Sequence, residues 1–169
     1  RTNVSFAALT MNKDLGISAY TYGLGAGIFF LGYALFEVPS NMVLEKVGAR
    51  LWIARIMLTW GLISGMMAAA TGPNSFLVLR FLLGVAEAGF FPGMILYFTY
   101  WFPAVYRGRV ISTLFIAVPA GNALASVVSG AILGMDGVWS LHGWQWLFII
   151  EAAPALVLAF VVLRLMTDR

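Results

Sequence analysis

The hydrophobic pattern of this chain is dominated by five long apolar runs separated by short polar connections. Each run reaches the roughly 20 residues that a membrane-spanning helix needs. A sixth run is shorter, and we interpret it as the second half of a span whose first half is missing. The full runs cover residues 20–43, 51–71, 75–102, 110–134 and 144–163, and the partial run covers residues 1–12. The pattern predicts an all-α polytopic membrane protein, with one bundle of six helices over residues 1–169 and its first helix truncated.

Composition favours a membrane protein over a water-soluble one. Hydrophobic residues make up 62% and charged residues 10% of the 169 residues, and the mean hydropathy is +0.92. Soluble domains carry about 25% charged residues. A water-soluble fold of this size could not hide so much apolar surface, so we expect lipid to cover much of the chain.

Several classes of site are excluded by what the sequence lacks. It has no cysteine and one histidine, His142, so disulfides, thiolate metal sites and multi-histidine metal sites are not expected. Neither a His-Glu-x-x-His zinc motif nor a Gly-x-Ser-x-Gly nucleophile elbow occurs, so we expect no enzyme and no cofactor. The net charge of +3 is not gathered in one patch, which disfavours a nucleic-acid partner.

Basic residues lie mainly on one side of the predicted membrane. Cytoplasmic loops of membrane proteins carry an excess of lysine and arginine. Here seven basic residues fall in or beside the second, fourth and final connections, and one, Lys13, falls on the other side. The seven are Lys46, Arg50, Arg55, Arg107, Arg109, Arg164 and Arg169. This bias predicts that the loops after spans two, four and six are cytoplasmic.

Small and aromatic residues predict helix contacts and membrane interfaces. Glycines spaced four apart let two backbones approach closely. The four such pairs are Gly23 with Gly27, Gly61 with Gly65, Gly89 with Gly93, and Gly130 with Gly134. Tryptophans near span ends are typical of interfacial anchors. We interpret Trp101, Trp144 and Trp146 in this way.

Arg80 and Glu87 are ionisable residues at membrane depth, where a charge costs about 2.5–3.5 kcal/mol even on the lenient insertion scale. They are seven residues apart in span four, which is two helical turns. Both side chains therefore share one face, about 10 Å apart along the axis. We expect this face to point into the bundle or a water-filled cavity. Arg1, in span one, is a third such charge.

These residue types suit an anion carrier, although simpler roles stay open at this stage. Arginine offers a planar fork to an anionic ligand, and a buried carboxylate can be neutralised by a proton. Alternatively, Arg80 reaches towards the membrane surface and Glu87 only neutralises it. Tyr33 in span two and Asn122 in span five could each bond a ligand or merely a neighbouring helix. For Glu151, in span six, a structural role is favoured.

The loop after span two resembles the cytoplasmic loop motif of the major facilitator superfamily. That motif has a glycine, an acid-base pair four residues later, then glycine and basic residues. The corresponding sequence is Asn41-Met-Val-Leu-Glu45-Lys46-Val-Gly48-Ala-Arg50. Asn41 replaces the first glycine and Glu45 replaces the usual aspartate. The span-four sequence over residues 80–89 also resembles a motif of this superfamily.

Shorter segments along the whole chain narrow the resemblance to the anion:cation symporter family. Its members include tartrate, phthalate, hydroxyphenylacetate and sugar-acid permeases. The segments are Arg1-x-Asn3, Tyr22-Gly-Leu-Gly25, Phe36-Glu-Val-Pro-Ser-Asn41, Phe81 to Pro92-Gly93, Tyr100-Trp-Phe-Pro103 and Gly143-Trp-Gln-Trp-Leu-Phe148.

The resemblance implies a transporter of twelve helices in two six-helix halves, with substrate bound between the halves. This chain would be the amino-terminal half, and the carboxy-terminal half would be absent. In the family's sugar-acid permeases, two arginines and a tyrosine hold the substrate carboxylate, and a glutamate in span four takes part in proton coupling. By motif position these residues are Arg1, Arg80, Tyr33 and Glu87. Asn122 is a further candidate substrate contact without a clear motif match.

The resemblance also implies a gating role for the loop after span two. Glu45, Lys46, Gly48 and Arg50 would close the cytoplasmic side in one state of the transporter. The expected partners are a small organic anion, a proton, the lipid bilayer and the absent half.

The expected function is import of an organic carboxylate, such as a sugar acid, tartrate or an aromatic acid, by proton symport. The family suggests the inner membrane of a bacterium as its place. Two alternatives stay open. An organophosphate or phosphate exchanger would also use paired arginines, and a membrane sensor would bind an anion without moving it.

Overall fold

The computed structural model describes residues 3–168 of the chain and shows only helices among them, which confirms the predicted all-α class. The α-helices are α1 (Asn3–Leu15), α2 (Ala19–Val47), α3 (Ala49–Met66), α4 (Pro73–Glu87), α5 (Phe90–Trp101), α6 (Ala104–Leu133) and α7 (Gly143–Leu165). Two short 3₁₀ helices, Met67–Ala69 and Val138–Ser140, lie in connections.

Five helical segments among the described residues are long and apolar enough to cross a membrane. They are Ala19–Val47, Ala49–Ala69, Pro73–Trp101, Ala104–Leu133 and Gly143–Leu165. The helix α1 has 13 residues, which is shorter than a span requires.

Residues at the helix ends explain several of these boundaries. Ser18 precedes α2, and its hydroxyl accepts a 3.1 Å hydrogen bond from the backbone N–H of Thr21, as a helix N-cap should. Pro73 begins α4, where its fixed φ fits the first turn and its missing N–H costs nothing. Gly48 separates α2 from α3 with a φ of +99°, a conformation that favours glycine.

Two helix pairs form most of the bundle: α2 packs along α4, and α3 packs along α7. One apolar cluster, around Phe76, Trp144 and Phe148, lies where the α1–α2, α3–α4 and α6–α7 connections meet. A second, around Leu44 and Ile53, lies at the opposite ends of the helices. Helix α6 contributes little to either cluster and stays exposed along most of its length.

The glycines that bring helices together differ in part from those predicted. Gly61 and Gly65 do pack against α7, and Gly89 and Gly93 against α2. Around Gly23, Gly27 and Gly130, however, a side chain would meet no described atom within 4 Å. The tightest contact between α2 and α4 occurs instead at Gly84, where a Cβ would collide with the Phe29 carbonyl. Spacing alone identifies a strip of glycines but not the helix that faces it.

Span four, predicted as one apolar run over residues 75–102, consists of two helical segments. The first ends at Glu87 and the second begins at Phe90. Between these residues Gly89 has a φ of +84°, which interrupts the helical hydrogen bonds. The Ser40 hydroxyl donates a 2.8 Å hydrogen bond to the Ala88 carbonyl and accepts a 2.9 Å bond from Trp52 Nε1. Ser40 therefore satisfies a backbone group that the break leaves free.

Trp144 is a core residue and not the interfacial anchor expected from its position. Its side chain is 1% exposed, and its Nε1 donates a 2.8 Å hydrogen bond to Asp14 Oδ2. The neighbouring Gln145 donates to the Ala68 carbonyl at 2.9 Å and accepts from the His142 N–H at 2.9 Å. The start of α7 thereby ties three connections together on one side of the bundle.

Candidate functional site

Arg80 lies inside the bundle and is 4% exposed, so it does not reach towards the membrane surface. Its Nε donates a 3.4 Å hydrogen bond to the Gly25 carbonyl of α2. Its Cζ lies 4.6 Å from the centre of the Phe29 ring, a favourable distance for a cation–π contact. Its Nη1 is buried and has no hydrogen-bond partner among residues 3–168. A buried donor without a partner is costly. A hydrogen-bond acceptor placed beside Nη1 would therefore be stabilising.

Two cavities reach Arg80 from different sides. The first, of about 170 Å³, opens between α1 and α2 and is lined in part by Tyr22, Phe29 and Phe30. The second, of about 50 Å³, lies between α3, α4 and α7 and is lined in part by Trp60 and Glu151. A cavity holds water once it has about 10–15 Å³ available to the water centre. Each cavity is therefore large enough for water or for a small polar group beside the guanidinium.

Glu87 lies on the same face of α4 as Arg80 and is 8% exposed. It is the last residue of α4, directly before the break at Ala88 and Gly89. Two helical turns separate it from Arg80, about 10 Å along the axis. Glu87 does not line either of the two cavities that reach Arg80. The helix break thus places this carboxylate at the end of a helical segment.

Tyr33 is linked to Arg80 through one intervening ring. It is half-buried on α2, and its ring stacks against Phe29 with 6.4 Å between ring centres and an interplanar angle of 28°. Phe29 in turn lies under the Arg80 guanidinium. Close packing at Gly84 fixes α2 against α4 at this level. Tyr33 is therefore near the arginine but lines neither of its cavities.

Arg1 and Asn122 are the other two predicted substrate contacts. Arg1 lies outside the described residues. Asn122 is exposed on α6 and lines neither Arg80 cavity. Since α6 exposes almost all of its surface, Asn122 faces away from the core formed by the other helices. Both assignments stay predictions.

The predicted gating loop contacts the end of the chain. The Arg50 backbone N–H, in the first turn of α3, donates a 2.8 Å hydrogen bond to Asp168 Oδ1. The Arg50 Nε donates a 2.8 Å bond to the Leu163 carbonyl near the end of α7. Glu45 and Lys46, by contrast, are exposed. Because Gly48 offers no capping side chain, the Asp168 carboxylate serves as the cap for α3.

Sequence reasoning missed the polar pair between α6 and α7. The Ser129 hydroxyl donates a 2.6 Å hydrogen bond to Glu151 Oε1, and Ser129 is fully buried. Glu151 also lines the smaller Arg80 cavity, and the structural role expected for it stays a prediction. The available signal was an acidic residue at membrane depth. The partner could not be read from the sequence, because serine is common in membrane helices.

Comparison with known proteins gives one consistent family. The sequence profile of the Major Facilitator Superfamily matches residues 1–169. The chain is 61% identical over 169 residues to an Agrobacterium vitis protein whose name assigns it provisionally to tartrate transport. It is 54% identical over 159 residues to a quinolone resistance transporter of Acinetobacter baumannii. It is 44% identical over 155 residues to the inner membrane transport protein RhmT of Escherichia coli.

These matches cover 100%, 94% and 92% of the chain but 38%, 37% and 36% of the respective relatives. The chain thus spans little more than a third of their length. Among solved structures, a bacterial homologue of the human lysosomal transporter Spinster, in an inward-facing and occupied conformation, superposes with a TM-score of 0.88. That match covers 99% of this chain and 40% of the other, at 23% identity, and it shows a shared fold.

Proposed function

Because the chain belongs to the major facilitator superfamily, we propose that it forms the amino-terminal bundle of a secondary transporter that imports an organic carboxylate with a proton. The substrate is a sugar acid, tartrate or an aromatic acid, and the membrane is the inner membrane of a bacterium. The name of the Agrobacterium vitis relative supports the carboxylate. A second six-helix half completes the substrate site, in keeping with the share of each relative that the chain spans.

One observation carries this proposal: a buried guanidinium keeps one nitrogen without a hydrogen-bond partner among residues 3–168. Arg80 Nη1 is in this state, and two cavities give access to the side chain. A carboxylate would supply the missing acceptor and form a charge-assisted hydrogen bond, which is about twice as strong as a neutral one. An uncharged substrate would bring no negative charge to the buried guanidinium.

The remaining substrate contacts surround this anchor in the proposal. Arg1 supplies a second positive charge from the first helix. Tyr33 orients the substrate by a hydrogen bond, held near Arg80 by its stacking on Phe29. Asn122, which is exposed on α6, contacts the substrate where the second half of the transporter meets the first.

Glu87 is the proton-coupling residue of the proposed mechanism. A buried carboxylate is costly to move through the membrane in its charged form. Protonation of Glu87 lowers the uncompensated charge of the loaded site, and the two halves can then rock around it. The break at Gly89, next to Glu87, resembles the discontinuous helices that line transporter sites.

The loop that contains Glu45, Lys46, Gly48 and Arg50 closes the cytoplasmic side in this mechanism. Its support is the pair of Arg50 contacts with Asp168 and Leu163. These contacts join the start of α3 to the end of α7. Closure would engage the exposed Glu45 and Lys46 with the other half.

The test uses the full-length protein that contains this chain, purified into proteoliposomes. Uptake of labelled sugar acids, tartrate and aromatic acids is measured with and without an inward proton gradient. Symport of one proton predicts accumulation of about tenfold for each pH unit of gradient, because one unit corresponds to about 1.36 kcal/mol. If the protein exchanges substrate at a rate that does not depend on the proton gradient, it is an antiporter and not a symporter. Absence of flux with every acid would overturn the carboxylate assignment.

A further inference from the structure

Glu151 and Ser129 form a polar contact in the membrane interior that the proposed transport mechanism does not yet use. Ser129 is fully buried on α6, and its hydroxyl donates a 2.6 Å hydrogen bond to Glu151 Oε1 on α7. An ionisable residue at membrane depth is expensive to keep there, and such residues line ion and substrate pathways. A serine alone would be enough to join α6 to α7, so the carboxylate requires a further reason.

Glu151 lies at the same depth as Arg80. Arg80 is seven residues from the start of α4, and Glu151 is eight residues from the start of α7. Both helices start on the same side of the bundle, so both residues lie about 10–12 Å along their helices. They line one cavity of about 50 Å³, and no salt bridge of 4 Å or less joins them. The cavity between the two charges has room for water.

Polar groups from several helices surround this cavity. Around it, α3 supplies Trp60 and Ser64, and α1 supplies Val4. The α6 helix supplies Ser129. Arg80 is the one basic group among the described residues that line this cavity. Its Nη1 lacks a hydrogen-bond partner in the described part of the chain, and Glu87, two helical turns away on α4, is a second acid whose charge acts on it.

We propose that Glu151 is a second proton-binding site, separate from Glu87, which competes through the water-filled cavity with the substrate carboxylate for Arg80. The inference rests on the proposed function of Arg80 as the substrate anchor. When Glu151 is ionised, its charge offsets that of Arg80 and substrate binds weakly. When a proton from water adds to Glu151, the offset is removed and Arg80 attracts the substrate fully. Ser129 donates its hydrogen bond to the ionised oxygen of Glu151.

The test measures substrate exchange in proteoliposomes without a gradient, as a function of pH, by the full-length Glu87→Gln protein, in which residue 87 cannot bind a proton. The KM of this parent protein should rise with pH as Glu151 ionises. When Glu151→Gln is added, which can still accept the Ser129 hydrogen bond, KM should vary little with pH. At mildly alkaline pH it should lie about tenfold below the value of the parent protein, the order expected for two charges separated by water. An unchanged pH profile in folded Glu151→Gln would overturn the proposal.

Two further variants separate titration from a structural role. Ser129→Ala removes the hydrogen bond but keeps the carboxylate, so its KM should still rise with pH. Glu151→Asp keeps an acid and should restore the rise that Glu151→Gln loses. If both Ser129→Ala and Glu151→Gln only lower thermal stability and leave the KM profile unchanged, Glu151 is structural.

An infrared measurement needs no substrate and remains valid if no carboxylate is transported. Difference spectra between mildly acidic and mildly alkaline pH are recorded for the Glu87→Gln protein, with and without Glu151→Gln. A protonated-carboxyl band that disappears with Glu151→Gln supports proton binding at this residue, even where the transport assay fails. Absence of any such band overturns the second proton site while leaving the substrate role of Arg80 intact.

Discussion

The Ser40 hydroxyl of α2 donates a 2.8 Å hydrogen bond to the carbonyl oxygen of Ala88, where span four breaks. The same hydroxyl accepts a bond from Trp52 on α3. One small polar side chain thus joins three helices next to Glu87. The break is held by a tertiary contact as well as by the conformation of Gly89.

Replacing Ser40 should therefore loosen this junction. Ser40→Ala leaves the Ala88 carbonyl and the Trp52 N–H without their partner, which costs about 1–3 kcal/mol for a buried group. The apparent melting temperature of the full-length protein in detergent should fall. Ser126→Ala is the matched control, because the exposed Ser126 bonds only within α6. Equal melting temperatures for the two variants would contradict the role of Ser40.

The contact between α2 and α4 gives a second prediction. In Gly84→Ala the new methyl group would meet the Phe29 carbonyl, and backbone cannot yield as a flexible side chain can. Overpacking of this kind costs about 1–3 kcal/mol, and the shift of Phe29 should weaken substrate binding at Arg80. Gly27→Ala places the same methyl group in open space and should be neutral in melting temperature and KM. Equal melting temperatures and equal KM values for Gly84→Ala and Gly27→Ala would show that α2 and α4 are not tightly packed at Gly84.

Arg80→Lys tests the geometry of the proposed anchor and not only its charge. Lysine keeps the positive charge but loses the planar fork and the contact with Phe29. Loss of a charge-assisted hydrogen bond of about 1.5–3 kcal/mol should raise the substrate KM by about 10- to 150-fold. Arg55→Lys is the control, since Arg55 lies over Trp52 and outside both Arg80 cavities. An unchanged substrate KM in Arg80→Lys would show that Arg80 does not bind the substrate.

Glu87→Gln should uncouple transport from the proton gradient. Glutamine is similar in size but cannot gain or lose a proton, so uphill uptake should be lost while substrate exchange persists. Both activities are measured with the same proteoliposomes. Asp136→Asn, which removes an exposed carboxylate from the α6–α7 connection, is the control and should retain uphill uptake. Unchanged accumulation in Glu87→Gln would show that another acid couples the proton.

The cap that Asp168 gives to α3 can be tested by hydrogen exchange. In Asp168→Ala the Arg50 N–H loses its acceptor, and loss of a cap costs about 0.5–2 kcal/mol. Amide exchange in the first turn of α3 should become faster, with little change elsewhere. Thr167→Ala alters the adjacent exposed residue and should leave exchange unchanged. Equal rates in both proteins would argue against the cap.

The sequence by itself determined the class of this protein. Long apolar runs and scarce charges require helices in lipid, because every backbone polar group must be satisfied within its own segment. Two charges spaced two turns apart also indicated that Arg80 and Glu87 share one face of span four. These two inferences depend only on the helical period and on the free-energy cost of burying a charge.

Tertiary structure decided which groups meet across helices. The pairing of Ser40 with Ala88, of Gly84 with Phe29, and of Ser129 with Glu151 joins residues far apart in sequence. Glycine spacing predicted close packing at Gly23 and Gly27, yet the contact lies at Gly84, because the rotation of each helix depends on all of its neighbours. Periodicity fixes the face that a side chain occupies on its own helix, whereas packing alone fixes what that face meets.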